Sequence, residues 1–133
     1  MRVYLDSVIV IYLVEGASSF QARARVHLAA LTSAGHQVAV SDLTRLECRV
    51  KPIRLGDAAL LADFDTFLDA DAVVKVPMSS AVYDRATEIR AVHNFKLGDS
   101  LHLATAVETG RGAFLTNDTR LTRFPDLSVD VLP

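Results

Sequence analysis

Short β-prone runs alternate with helical stretches along this chain, and that alternation limits the folds open to it more than any other feature. The runs are Arg2-Val3-Tyr4-Leu5, Gln37-Val38-Ala39-Val40-Ser41, Val73-Val74-Lys75-Val76, Ala113-Phe114-Leu115-Thr116 and Ser128 to Leu132. After the first comes Val8 to Val14, apolar at every position. One strand through both would far exceed the usual length of about five or six residues, so a strand, a break at Asp6-Ser7 and a helix are expected. Gly16-Ala17-Ser18-Ser19 makes the next break, with a serine cap. Phe20, Ala24, Leu28 and Leu31 then mark an amphipathic helix ending near Gly35. Leu43, Leu46 and Val50, spaced by three and four, predict a buried helix face capped by Ser41 or Asp42 and ended by Pro52. Gly56-Asp57 opens another helix, with Leu60, Phe64 and Phe67-Leu68 inward. Ser79-Ser80 caps one that buries Val82, Ala86 and Ile89. Leu97, Leu101 and Ala104, with Leu103 and Val107, make the next helix apolar on two sides and therefore buried. A break at Gly110-Arg111-Gly112 precedes the fourth strand, and Asp118 to Phe124 reads as a short helical turn stopped by Pro125.

Strands alternating with helices imply right-handed crossovers and a parallel sheet covered on both faces. Residues 1–133 read as one domain, since no repeat, low-complexity segment or linker divides them. Half the residues are hydrophobic, enough for a real core. Cys48 is the only cysteine, which suits a reducing cytoplasm. The first residues do not read as a signal peptide, and no apolar run is long enough to span a membrane. A net charge of −2 is not the signature of a DNA-coating protein.

In parallel sheets ligands bind beyond the carboxyl ends of the strands. Asp6 and Asp118 follow strands directly. Glu47 and Asp99 are expected in the first turns of helices that start at the same edge. Each acid alone reads as a cap or a turn residue; four along one rim read as a site. Carboxylate oxygens are hard ligands that suit Mg²⁺ or Mn²⁺. Such ions clamp a phosphodiester and activate water, and they reverse the local charge so that a phosphate can approach. Four carboxylates crowded together without metal are expected to repel, raising all their pKa values.

Val3-Tyr4-Leu5-Asp6-Ser7, Leu43-Thr44-Arg45-Leu46-Glu47, Leu97-Gly98-Asp99-Ser100-Leu101-His102-Leu103-Ala104-Thr105-Ala106 and Phe114-Leu115-Thr116-Asn117-Asp118 resemble the four acidic motifs of the PIN domain. Within that family they look most like VapC toxins of toxin–antitoxin pairs. The resemblance implies a three-layer α/β/α sandwich with a five-stranded parallel sheet in the order 3-2-1-4-5. It also implies Mg²⁺- or Mn²⁺-dependent endoribonuclease activity on RNA and inhibition by a cognate antitoxin; a homodimer is expected. Carried over by motif, Asp6, Glu47, Asp99 and Asp118 become the acidic site, with Asp6, Asp99 and Asp118 as metal ligands. Thr116 matches the family's hydroxyl residue, placed to orient a carboxylate or a water.

Other polar residues have plainer readings beside the functional ones. His102, three residues after Asp99, is read as a packed, hydrogen-bonded histidine ahead of a metal ligand, and Cys48 as a buried thiol ahead of a nucleophile. Ser7 either caps the following helix or binds a metal-held water. Arg45, Arg49 and Lys96, with Lys51 and Arg54, are candidate contacts to RNA phosphates against a background of solvated surface charge. Two rivals fail on residues. A receiver-type signalling domain needs an aspartate ending its third strand and a lysine ending its fifth, where this chain has Val76-Pro77-Met78 and Val131-Leu132-Pro133. A haloacid dehalogenase-type phosphatase needs an aspartate where Val8 stands.

Overall fold

A computed structural model describes residues 1–16, 19–110 and 112–133. Strand β1 (Arg2–Leu5) lies at the centre of a five-stranded parallel sheet. Its neighbours are β2 (Gln37–Ser41) and β4 (Gly112–Thr116), flanked by β3 (Val73–Val76) and β5 (Ser128–Val131), so the order is β3-β2-β1-β4-β5. This is the order and the fold class expected. Between the strands run α1 (Ser7–Glu15), α2 (Ser19–Ser33), α3 (Asp42–Leu55), α4 (Ala58–Leu68), α5 (Ser80–His93) and α6 (Leu97–Glu108). A 3₁₀ turn, Thr119–Arg123, joins β4 to β5. The serine cap expected around Ala17-Ser18 and the break at Arg111 lie outside the described residues.

Side chains alternate along each strand, and the alternation sorts the core into two layers. Val3 and Leu5, Val38 and Val40, and Ala113 and Leu115 face α1, α2 and α4, packing on Ile9, Val10, Leu13, Phe64 and Leu68. Tyr4, Ala39 and Phe114 face α5 and α6, packing on Val82, Ala86, Ile89, Leu101 and Leu103. β1 and β4 approach closely at one end. A Cβ on Gly112 would stand 2.7 Å from the Arg2 carbonyl oxygen, so only glycine fits the start of β4.

Three sequence expectations are corrected. α3 does not bury Leu46 and Val50, which are 60% and 41% exposed; it buries Thr44, Cys48 and Pro52. Those three share a second stripe, spaced by four, and Thr44 anchors it by accepting a hydrogen bond from the Ser41 backbone N–H at 3.1 Å. The same seating carries the helix through Pro52, whose buried ring offsets the missing N–H. α3 ends instead at Gly56, in the left-handed conformation with φ 66°. Leu97, read as part of an apolar face, is 62% exposed because it opens α6 before the helix enters the core.

The strands are parallel, so their carboxyl ends share one rim. Two ladders continue into it: the Asp6 N–H donates to the Leu115 carbonyl at 2.9 Å, extending β1 on β4, and the Leu132 N–H donates to that of Thr116 at 2.8 Å, extending β5 on β4.

Candidate active site

Asp6 leaves β1 as the N-cap of α1, which explains the break seen in sequence. Its Oδ1 accepts the Ser7 N–H at 2.9 Å, and its Oδ2 accepts the hydroxyl of Thr116 at 2.7 Å. Thr116 ends β4 and is fully buried; its Oγ1 also accepts the Asp118 N–H at 3.0 Å. One hydroxyl thus ties the Asp6 side chain to the backbone of Asp118. It orients a carboxylate, the first of the two roles considered for it.

Asp118 caps the 3₁₀ turn and accepts the Arg120 N–H at 3.0 Å. The Arg120 guanidinium grips both carboxylate oxygens, at 3.0 and 3.2 Å through Nε and 2.5 Å through Nη2. Asp99 stands in the first turn of α6, half-buried, as expected. It takes no hydrogen bond from a side chain among the described residues.

Glu47 lies in the second turn of α3, not the first: with Ser41 as the cap, as expected, it is the sixth residue of the helix. Its Oε1 accepts the Ser7 hydroxyl at 2.8 Å and is paired with Nε2 of His102. Ser7 therefore acts on a carboxylate, while the capping is done by Asp6. His102 is packed and hydrogen-bonded, as its apolar neighbours suggested, and its Nδ1 lies 2.7 Å from the Tyr4 hydroxyl. Tyr4 in turn touches Ser41 Oγ at 2.7 Å and Thr44 Oγ1 at 3.3 Å.

Charge follows from this wiring. Burial pushes Asp6 above the ordinary carboxylate range, opposed by His102 and the bonds from Thr116 and Ser7. Asp99 is raised too, first by burial and then by the charges of Asp6 and Asp118. Burial also lifts Glu47, but the hydrogen bond from His102, with that from the Ser7 hydroxyl, more than offsets it and leaves it low. Arg120 holds Asp118 low. The expected rise of all four acids is therefore corrected to two; the other two own a cationic or N–H partner that the sequence argument left out. Burial, then the charges of Glu47 and Asp6, push the Cys48 thiol up to about 12, which fits an inert buried cysteine.

Among the described residues, no three His, Cys, Asp or Glu side chains are gathered to hold a metal ion as they stand. The reason is visible: Asp6, Glu47 and Asp118 are each turned onto a protein donor. The donor set itself fits a hard divalent cation. Asp6, Asp99 and Asp118 are electrostatically coupled oxygens, and Asp99 is repelled by the other two with no side-chain donor of its own. A cation there would compete with Arg120 for Asp118.

The basic candidates separate. Arg45 and Arg49 turn away from Glu47 to α4: Arg45 pairs with Asp69 at 3.0 Å and Asp65 at 3.6 Å, and Arg49 lies 2.9 Å from Asp65. Lys51 pairs with Glu15, and Arg54 is exposed. Lys96 precedes α6 at the rim, where its charge helps to hold Asp118 low. Arg120 was missed in sequence, although an aspartate that ends a strand and precedes an arginine by two is a local signal for a capped, paired carboxylate. The His102–Glu47 pair spans 55 residues and left no such trace.

No curated protein matches this chain. Solved structures do. The VapBC2 complex from Rickettsia felis, bound to a DNA fragment from its promoter, aligns over 100% of both chains with a TM-score of 0.84 at 16% identity. DNA-bound VapBC from Salmonella typhimurium aligns over 100% of this chain and 99% of that one, with a TM-score of 0.81 at 16% identity. Mycobacterium tuberculosis VapC20, a sarcin-ricin loop cleaving toxin, covers 94% of this chain and 98% of its own, with a TM-score of 0.71 at 13% identity. Identities this low establish a shared fold. The family model of the PIN domain matches residues 3–127, nearly the whole sequence and all four acidic motifs. With the β3-β2-β1-β4-β5 sheet and the acids at its carboxyl rim, that match settles the family: this chain belongs to the PIN domain family.

Proposed function

We propose that this protein is a divalent-metal-dependent endoribonuclease and the toxin of a toxin–antitoxin pair. The observation that carries the reading is Asp99, half-buried, without a side-chain donor among the described residues, and pushed up first by burial and then by the charges of Asp6 and Asp118. Like charges held together in this way favour a multivalent cation. Asp6, Asp99 and Asp118 would hold Mg²⁺ or Mn²⁺, which would supply positive charge at the phosphate and make water a better nucleophile near neutral pH. Thr116 fixes the Asp6 carboxylate. Glu47, held low by His102, stays ionised at neutral pH and completes the acidic set. Lys96 is the basic residue best placed to meet an RNA phosphate. Arg45 and Arg49 would first have to leave their acidic partners.

An antitoxin partner is supported by the VapBC complexes that share the fold. Partner binding, including a homodimer, is further supported by exposed apolar residues on α3 (Leu46, Val50, Ile53) and on α5 and α6 (Tyr83, Val92, Leu97). No helix among the described residues is long and apolar enough to cross a membrane. The lone cysteine supports a cytoplasmic site. The test is RNA cleavage by the purified chain with Mg²⁺ or Mn²⁺. Cleavage is expected with metal and none with EDTA; cleavage that persists after exhaustive chelation overturns the reading.

A further inference from the structure

A second polar system lies behind the acids, inside the core. Tyr4, Ser41, Thr44 and His102 are 1%, 3%, 0% and 2% exposed. Burying such groups is costly unless each is paired. Among the described residues the network reaches the acids through His102, which meets Glu47 and Ser7.

Both donors that reach Glu47 end on the same atom. The Ser7 hydroxyl and His102 Nε2 meet Oε1, and they lie 3.2 Å from each other. Oε2 has no donor among the described residues. It lies 3.5 Å from where a Cβ on Gly98 would stand, so it points to the turn of α6 that carries Asp99. The orientation of the carboxylate rests on these two donors.

The remaining question is where the imidazole keeps its proton. The Tyr4 oxygen has hydroxyls of Ser41 and Thr44 on one side and His102 Nδ1 on the other. Ser41 can donate to the phenol oxygen, which sends the phenol proton to Nδ1. An imidazole that accepts at Nδ1 carries its proton on Nε2, facing Glu47. We propose that His102 is a positioning residue for Glu47, its proton set on Nε2 by Tyr4, so that it and Ser7 clamp Oε1 and leave Oε2 presented to the acidic rim. Its effect on catalysis rests on the proposed nuclease reading; its proton placement does not.

Two measurements on the full chain test this. In metal-free protein with ¹⁵N-labelled histidine at pH 7.5, long-range ¹H–¹⁵N spectra should show His102 protonated at Nε2 and bare at Nδ1. Tyr4→Phe should move the Nδ1 signal or mix the tautomers. A proton on Nδ1 in wild type overturns the proposal whether or not the chain cuts RNA. Second, His102→Leu should lower kcat for Mn²⁺-dependent cleavage about 100-fold, the scale of a catalytic group displaced by an ångström, with KM within threefold. His102→Gln, which keeps an N–H for Glu47, should recover most of that loss. A folded His102→Leu that cleaves at the wild-type rate overturns the proposal, as does a His102→Gln no better than Leu. Should Leu fail to fold, Gln and the spectra decide. Failure of wild type to cleave overturns the nuclease reading alone, and the spectra still decide the tautomer.

Discussion

Removing the Thr116 hydroxyl separates the two halves of the acidic rim without changing the shape of the core. Valine fills the same space, so Thr116→Val opens no cavity; it deletes a donor to Asp6 at 2.7 Å and an acceptor for the Asp118 N–H at 3.0 Å. A hydrogen bond to a buried charged group contributes about 1.5–3 kcal/mol and a neutral one about 1 kcal/mol, so the variant should lose about 2–4 kcal/mol at neutral pH. Thr116→Ser keeps the hydroxyl and loses one buried methyl, a deficit of about 1 kcal/mol. The pH dependence has a definite sign. Burial already raises Asp6, and the Thr116 bond opposes that rise. Valine therefore raises Asp6 further, so the folded state binds more protons than the unfolded one. That penalty is complete above the folded pKa and disappears below the unfolded value of about 4. Urea unfolding at pH 7.5 and pH 4 should show a larger deficit for valine at pH 7.5, and serine between valine and wild type. A valine variant within 0.5 kcal/mol of wild type, or a deficit identical at the two pH values, refutes the reasoning.

Asp99→Asn removes a charge that faces Asp6 and Asp118 and breaks no side-chain bond among the described residues. Like-charge pairs at half-exposed sites are screened to about 0.2–1 kcal/mol, so the metal-free variant should be as stable as wild type at pH 7 or more stable by up to about 1 kcal/mol. The difference should fade as the pH falls below about 4. Mn²⁺ should raise the wild-type melting temperature more than the variant's; a variant that melts lower beside a wild type indifferent to Mn²⁺ would falsify the acidic site. Arg120→Gln frees Asp118 from its guanidinium partner. Isothermal titration should then show Mn²⁺ binding several-fold tighter, and unchanged affinity means that Arg120 does not compete with the cation. In Gly112→Ala the new Cβ stands 2.7 Å from the Arg2 carbonyl oxygen and forces β1 and β4 apart. A loss of about 1–3 kcal/mol in chemical denaturation is expected, and one below 0.5 kcal/mol counts against the close approach.

The strands were readable because each is short and rich in β-branched or apolar residues, and β1, β2 and β4 run directly into polar residues; even the order of the sheet followed once the four acidic motifs were matched. Asp6, Thr116 and Asp118 were readable for a related reason. They sit at strand ends, where sequence position and spatial position agree. α3 was misread because two stripes compete on it. Leu46 and Val50 carry the stronger apolar signal, while the inward seat of Thr44, Cys48 and Pro52 depends on Ser41 and the core behind it. The pairing of His102 with Glu47 was beyond reach for a different reason. It joins two helices with no ladder or turn between them, and neither residue type announces the other. Arg120 was legible and overlooked: an exposed arginine reads as solvated charge until the carboxylate it grips is known to matter.

The pairing of β1 with β4 has a kinetic consequence. Asp6 and Thr116 touch across 110 residues of chain. A ribosome adding about 5–20 residues per second needs roughly 5–20 s to make that stretch. The central strand of the sheet therefore emerges long before one of its two neighbours exists. Loop closure over such a distance comes late, so folding should be slow for a chain of this size. Until β4 docks, Asp6 lacks the hydroxyl that fixes it, and Asp118 has no strand end to hold it beside Asp99. The acidic cluster thus forms only once β4 has docked; no nascent intermediate that lacks β4 contains it.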